Sequence, residues 1–143
     1  MITTKTQRHE DIQDTPVPLS RNLELIASDI IDAAFNTHKQ LGPGLLERVY
    51  KVCFCHELEK RGLKFERQVQ VPIKFDNLTF DEGFRIDVLV ENEIICELKA
   101  ANEMNPVYDA QVLTYLKLTN KRLGFLINFN VPLIKQGIKR IIL

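Results

Sequence analysis

The sequence predicts a mixed α/β domain, a central β-sheet flanked by helices, and three observations predict it. Apolar residues recur at helical spacing over the N-terminal third. They fall largely on alternate positions through the middle, and return to helical spacing before two last apolar runs. The length of 143 residues suits one domain, and 45% hydrophobic with 27% charged residues is ordinary globular composition. We divide the chain into a flexible arm, residues 1–20, and a single domain, residues 21–143. The arm has few large apolar residues, ends near Pro16 and Pro18, and is too polar for a secretory signal. No run approaches the ~20 apolar residues of a membrane span, so no membrane partner is expected. Cys53, Cys55 and Cys96 cannot all pair, which suits a reducing cytoplasm. With 19 basic against 19 acidic residues, the chain is no histone-like polycation, although a local basic groove fits within that balance.

The elements follow in order. Ser20 or Asn22 caps a helix running to about residue 40, with Leu23, Ile26, Ile30, Ala33 and Ala34 facing the core. Leu41-Gly42-Pro43-Gly44 breaks it, and a second helix covers about 45–61 before Gly62. Phe65, Val69, Val71, Ile73 and Phe75 read as one strand with a buried face, ended by a turn at Asp76-Asn77 and followed by a short strand at 78–80. Two apolar runs, 84–90 and 94–101, enclose Glu91-Asn92-Glu93 and predict a hairpin. Asn105-Pro106 opens a third helix over 107–119. An interior strand is expected at 123–129 and an edge strand at 138–142.

The hairpin carries the chemistry. Alternation puts Phe84, Ile86, Val88 and Val90 on one face, and Arg85, Asp87, Leu89 and Glu91 on the other. On the return strand Ile95, Glu97, Lys99 and Ala101 share a face. A three-residue loop sets position 87 opposite 97, with Cβ atoms about 5 Å apart. Two carboxylates that close repel unless a cation lies between them. A hard divalent ion takes a few carboxylates plus waters and phosphates, and a lysine beside it equips the site for phosphodiester hydrolysis. A solvated ladder of Arg85, Asp87, Glu97 and Lys99 explains the hairpin equally well by itself. Glu47 and Tyr50, at i and i+3 after the glycine corner, read from spacing as a first-turn acid and a core residue. Gln111 and Tyr115 stack at i and i+4 on the third helix. The amide could brace a metal ligand or a phosphate, or cap a loop.

Together these residues resemble the GxxExxY protein family, a branch of the PD-(D/E)XK nuclease superfamily. Gly44, Glu47 and Tyr50 match its eponymous motif, Asp87 with Glu97-Leu98-Lys99 the nuclease motif, and Gln111 with Tyr115 the Gln-x-x-x-Tyr element of RecB-like exonucleases. The resemblance spans about residues 38–129. It implies a restriction-endonuclease-like α/β core and a Mg²⁺ or Mn²⁺ site on Asp87, Glu97 and the Leu98 carbonyl. Lys99 would stand beside the attacking water and Glu47 would be an additional acid. His38 falls near the histidine of RecB-like enzymes, although a helix C-terminus also explains it; His56 matches nothing and is expected at the surface. Ile86 stands where the superfamily's proline would. Three cysteines cannot reproduce the four-cysteine iron–sulfur variants, so no cluster is expected.

The function implied is metal-dependent cleavage of nucleic acid, DNA ahead of RNA. Arg85, Lys117, Lys121 and Arg122 are candidates to guide phosphates, against a reading as solvated surface. A core this small leaves room for a homodimer or partner to help grip substrate. The alternatives are a non-catalytic nucleic-acid-binding or adaptor protein that keeps the fold, and a structural module whose polar face is only a charge ladder.

Overall fold

The computed structural model describes residues 17–143; residues 1–16 of the expected arm, His9 among them, lie outside the described residues. Helix α1 is Arg21–Leu41, and Ser20 caps it by accepting the Leu23 amide at 3.1 Å. Its buried stripe of Leu23, Ala27, Ile30, Ala33 and Ala34 follows the helical spacing. Gly42 and Gly44 turn the corner at positive φ, 68° and 95°. Helix α2, Glu47–Lys60, begins two residues after Leu45 and ends just short of Arg61.

Strand β1 is Phe65–Gln70, and the single strand expected through Phe75 is two. Pro72 has no amide for a ladder, and the chain leaves the main sheet there. Strands β2 (Ile73–Phe75) and β3 (Leu78–Phe80) form a separate exposed hairpin around Asp76-Asn77, whose φ values are 52° and 62°. Strands β4 (Arg85–Val90) and β5 (Ile94–Lys99) form the expected hairpin, with Glu91 and Asn92 left-handed in its turn. Helix α3, Pro106–Thr119, starts at Asn105, whose Oδ1 accepts the Val107 amide at 2.9 Å. Strand β6 (Leu123–Asn128) is buried throughout, and a 3₁₀ turn at Ile134–Gly137 leads into edge strand β7 (Ile138–Ile142).

The main sheet runs β1-β4-β5-β6-β7 and is antiparallel except for the β5–β6 pair, which α3 joins as a crossover. Helices α1 and α2 cover one face, packing Ile30, Phe54 and Leu58 against Val88, Cys96 and Phe125. Helix α3 covers the other, with Val112, Tyr115 and Leu116 over Leu89, Ile95 and Leu126. Ile86 departs from strict alternation: it packs in the α3 cluster rather than with Val88 and Val90. The change of face falls at Asp87, where both ladders are interrupted: β1 pairs Arg67 with Val88 and Val69 with Ile86 but skips Gln68, at φ 53°, and the β4–β5 pairing ends at Val88 with Cys96. Among the described residues no helix is long and apolar enough to cross a membrane.

Candidate active site

Asp87 and Glu97 meet where β4 and β5 separate. The ladder runs through Val90–Ile94, Leu89–Ile95 and Val88–Cys96, and the next pair in register is 87 with 97. There the two side chains stand in for main-chain acceptors. The Asp87 amide donates to Glu97 Oε1 at 3.1 Å, and the Leu98 amide donates to Asp87 Oδ2 at 3.0 Å. Each carboxylate therefore has one oxygen fixed to the opposite strand and a second outside that lock. This reciprocal tie fixes both rotamers before any ligand arrives.

The pair is electrostatically loaded. Glu97 is buried, and burial followed by the Asp87 charge pushes its carboxyl well above the usual range. The Asp87 amide, Lys99 and Lys51 pull the other way without cancelling that rise. Tyr115 packs beside them: burial raises its phenol, the Gln111 and Arg85 hydrogen bonds oppose this, and the charges of Glu97 and Asp87 add to the rise.

One participant was invisible in the pattern. Lys51 Nζ lies 3.1 Å from Asp87 Oδ1 and 2.9 Å from Glu47 Oε2, with only 17% of its side chain exposed. Helical spacing signals its i,i+4 pairing with Glu47; nothing one-dimensional joins α2 to β4. Burial lowers the Lys51 pKa, but contacts with Glu47 and Asp87 overcome this and raise it. Glu47, 41% exposed, stands at the rim with this ammonium between it and Asp87.

The other expected residues divide into those gathered here and those held elsewhere. Lys99 lies on the α3 side with its ammonium 4.6 Å from the centre of the Tyr108 ring. The Gln111 side-chain amide donates to the Tyr115 hydroxyl at 3.0 Å, so it braces a site-facing phenol rather than a loop. A groove of about 380 Å³ opens alongside, lined by Phe84, Val107, Tyr108, Gln111, Thr114 and Tyr115. Arg85 starts β4 close by, engaged with Asp81 at 3.3 Å and the Phe84 carbonyl at 2.9 Å. Leu98 pairs with Ile127 on β6.

Tyr50 is core: its ring stacks on Phe129 at 4.8 Å, its hydroxyl donates to the Gly42 carbonyl at 2.6 Å and accepts the Leu45 amide at 3.1 Å. It clamps the glycine corner that launches α2. His38 is buried with Nε2 2.8 Å from the Val131 carbonyl, joining α1 to the loop before the 3₁₀ turn. Lys121 and Arg122 precede Leu123, which pairs with Ile94, whereas Glu97 pairs with Leu126. They and Lys117, in the last turn of α3, therefore gather at the end of the sheet remote from the acids. Arg122 is engaged with the carbonyls of Leu143 and Val17. The structure does not bring these three cations to the carboxylates, because parallel pairing of β6 with β5 sets the start of both strands at the far end. His56 is exposed, as expected.

Comparison with known proteins gives the family. The family model of the PD-(D/E)XK nuclease superfamily matches residues 24–141, from α1 into β7. The chain belongs to that superfamily, and its mixed five-stranded sheet between helices is consistent with the fold. Membership suggests nuclease activity on nucleic acid, and such nucleases generally use divalent metals. No match is found among curated proteins, and none among solved structures.

The donors fit such a metal. Among the described residues no three His, Cys, Asp or Glu side chains converge as a ready cage, so a four-ligand structural zinc site does not fit. Two preset carboxylates suit a hard ion that takes few protein oxygens and retains water.

Proposed function

We propose that this protein is a Mg²⁺- or Mn²⁺-dependent nuclease that hydrolyses phosphodiester bonds of nucleic acid, with DNA ahead of RNA as the proposed substrate, of the GxxExxY type and allied to RecB-like exonucleases. The observation that carries this reading is the reciprocal Asp87–Glu97 lock, which presents two carboxylates in fixed orientation at the opening between two strands. In this reading Asp87, Glu97 and the Leu98 carbonyl hold the metal, with Glu47 as an outer acid. The ion supplies Lewis-acid polarisation of a phosphate oxygen and of water. Lys99, two residues beyond Glu97, holds the attacking water and offsets phosphate charge. Tyr115, braced by Gln111, walls the site on the α3 side. Arg85 is the phosphate-guiding cation at this end of the sheet. The unpaired cysteines fit work in a reducing cytoplasm, and a homodimer would extend the grip on substrate.

One observation favours the second reading, a non-catalytic nucleic-acid-binding or adaptor protein: Lys51 already neutralises Asp87. Labelled single- and double-stranded DNA and RNA, incubated with the protein in Mn²⁺ or in chelator, separate the two. Cleavage of DNA in Mn²⁺ that Lys99→Ala strongly reduces is expected; equal cleavage by wild type and that variant defeats the catalytic reading.

A further inference from the structure

We propose that Lys51 is the resident counter-ion of this centre, and that a divalent ion enters by exchange with its ammonium group. The inference rests on the metal-site reading above and deepens it. Asp87 has two oxygens, and Oδ2 is committed to the Leu98 amide. The remaining Oδ1 is the atom a metal would take, and Lys51 Nζ lies 3.1 Å from it. A metal–oxygen bond of ~2.1 Å and an ammonium contact at the same oxygen set two positive charges against one another in a half-buried site.

This is more than a helix-surface pair. An ordinary i,i+4 ion pair needs no third partner and leaves its lysine in water. Lys60, paired with Glu57 on the same helix, keeps half its side chain exposed; Lys51 keeps 17% and reaches a strand 36 residues away. The charges around it are Glu47 from its own helix, Asp87 from β4, and Glu97 from β5, whose carboxylate feels the Lys51 charge. The exchange conserves the arrangement of acids: the ammonium leaves Asp87 as the ion arrives, and Glu47 remains in reach of Lys51 through the helix turn. The metal-free protein is thus compensated and folded, and binding is a competition.

The test uses the full chain, stripped with chelator and then titrated with Mn²⁺. An amine-acylating reagent read by mass spectrometry is expected to label Lys51 slowly without metal. At saturating Mn²⁺ labelling becomes several-fold faster, while exposed Lys39 is unchanged. By calorimetry, Lys51→Met is expected to bind Mn²⁺ on the order of tenfold more tightly than wild type, the scale of one partly screened charge contact, and Lys51→Arg no more tightly. Unchanged Lys51 labelling in protein that binds Mn²⁺ overturns the exchange, as does equal or weaker binding by Lys51→Met. Should Lys51→Met not fold, the labelling measurement on wild type decides. Absence of Mn²⁺ binding in wild type and Lys51→Met sinks the exchange together with the metal site. Exchange observed without any nucleic-acid cleavage sinks the nuclease reading alone.

Discussion

Lys99 carries its charge two residues past Glu97 and rests against the face of Tyr108, making no direct hydrogen bond to either acid. Its removal leaves the Asp87–Glu97 lock untouched. Lys99→Ala is therefore expected to lower cleavage by about 10²–10³-fold, the scale of losing one charge-stabilising group. Its Mn²⁺ affinity should stay close to wild type, whereas Asp87→Asn should weaken the metal itself; calorimetry beside a cleavage assay reads both. At this scale the sequence was informative where one local rule sufficed. The facing of Asp87 and Glu97 follows from a three-residue turn and the two-residue period. Helical spacing reads Tyr50 as core and the motif resemblance reads it with the site; its ring is in the core, stacked on Phe129. Lys51 was not legible, because its contact with Asp87 joins a helix to a strand 36 residues on.

Between elements, packing closes with little room. A Cβ on Gly124 of β6 would lie 2.7 Å from Val112 Cγ1 on α3 and 3.3 Å from the Ile95 carbonyl oxygen. Gly124→Ala should thus push α3 off the sheet at a cost of ~1–3 kcal/mol, measured by chemical denaturation. Helix α2 carries a pH-sensitive tie. Burial alone would raise the Glu57 carboxyl, but hydrogen bonds from Arg61, Asn36 and Lys60 hold it at about 2, against an ordinary 4.5. The unfolded chain binds more protons between those values, so this contribution is present above about pH 5 and lost as pH falls towards 2. Denaturation midpoints of wild type should drop across that window more steeply than those of Glu57→Gln. Element types were mostly readable from periodicity, but the parallel partnership of β5 with β6 was not. That partnership is what sends Lys117, Lys121 and Arg122 to the end of the sheet away from Asp87 and Glu97.

For the molecule as a whole, the proposed metal site ties metal binding to stability. An ion that binds the folded form alone stabilises it by about 2.7 kcal/mol at a hundredfold excess over Kd. Mn²⁺ should accordingly raise the Tm of wild type by several degrees in thermal unfolding, and leave that of Asp87→Asn nearly unmoved. The carboxylates have a structural role of their own: through the Leu98 and Asp87 amides they stitch two strands together where the main-chain ladder has stopped. Selection for a sound sheet would preserve them with or without chemistry. Under the nuclease reading it is therefore Lys99, which ties no strand, whose loss would separate a chain that keeps this sheet from one that cleaves.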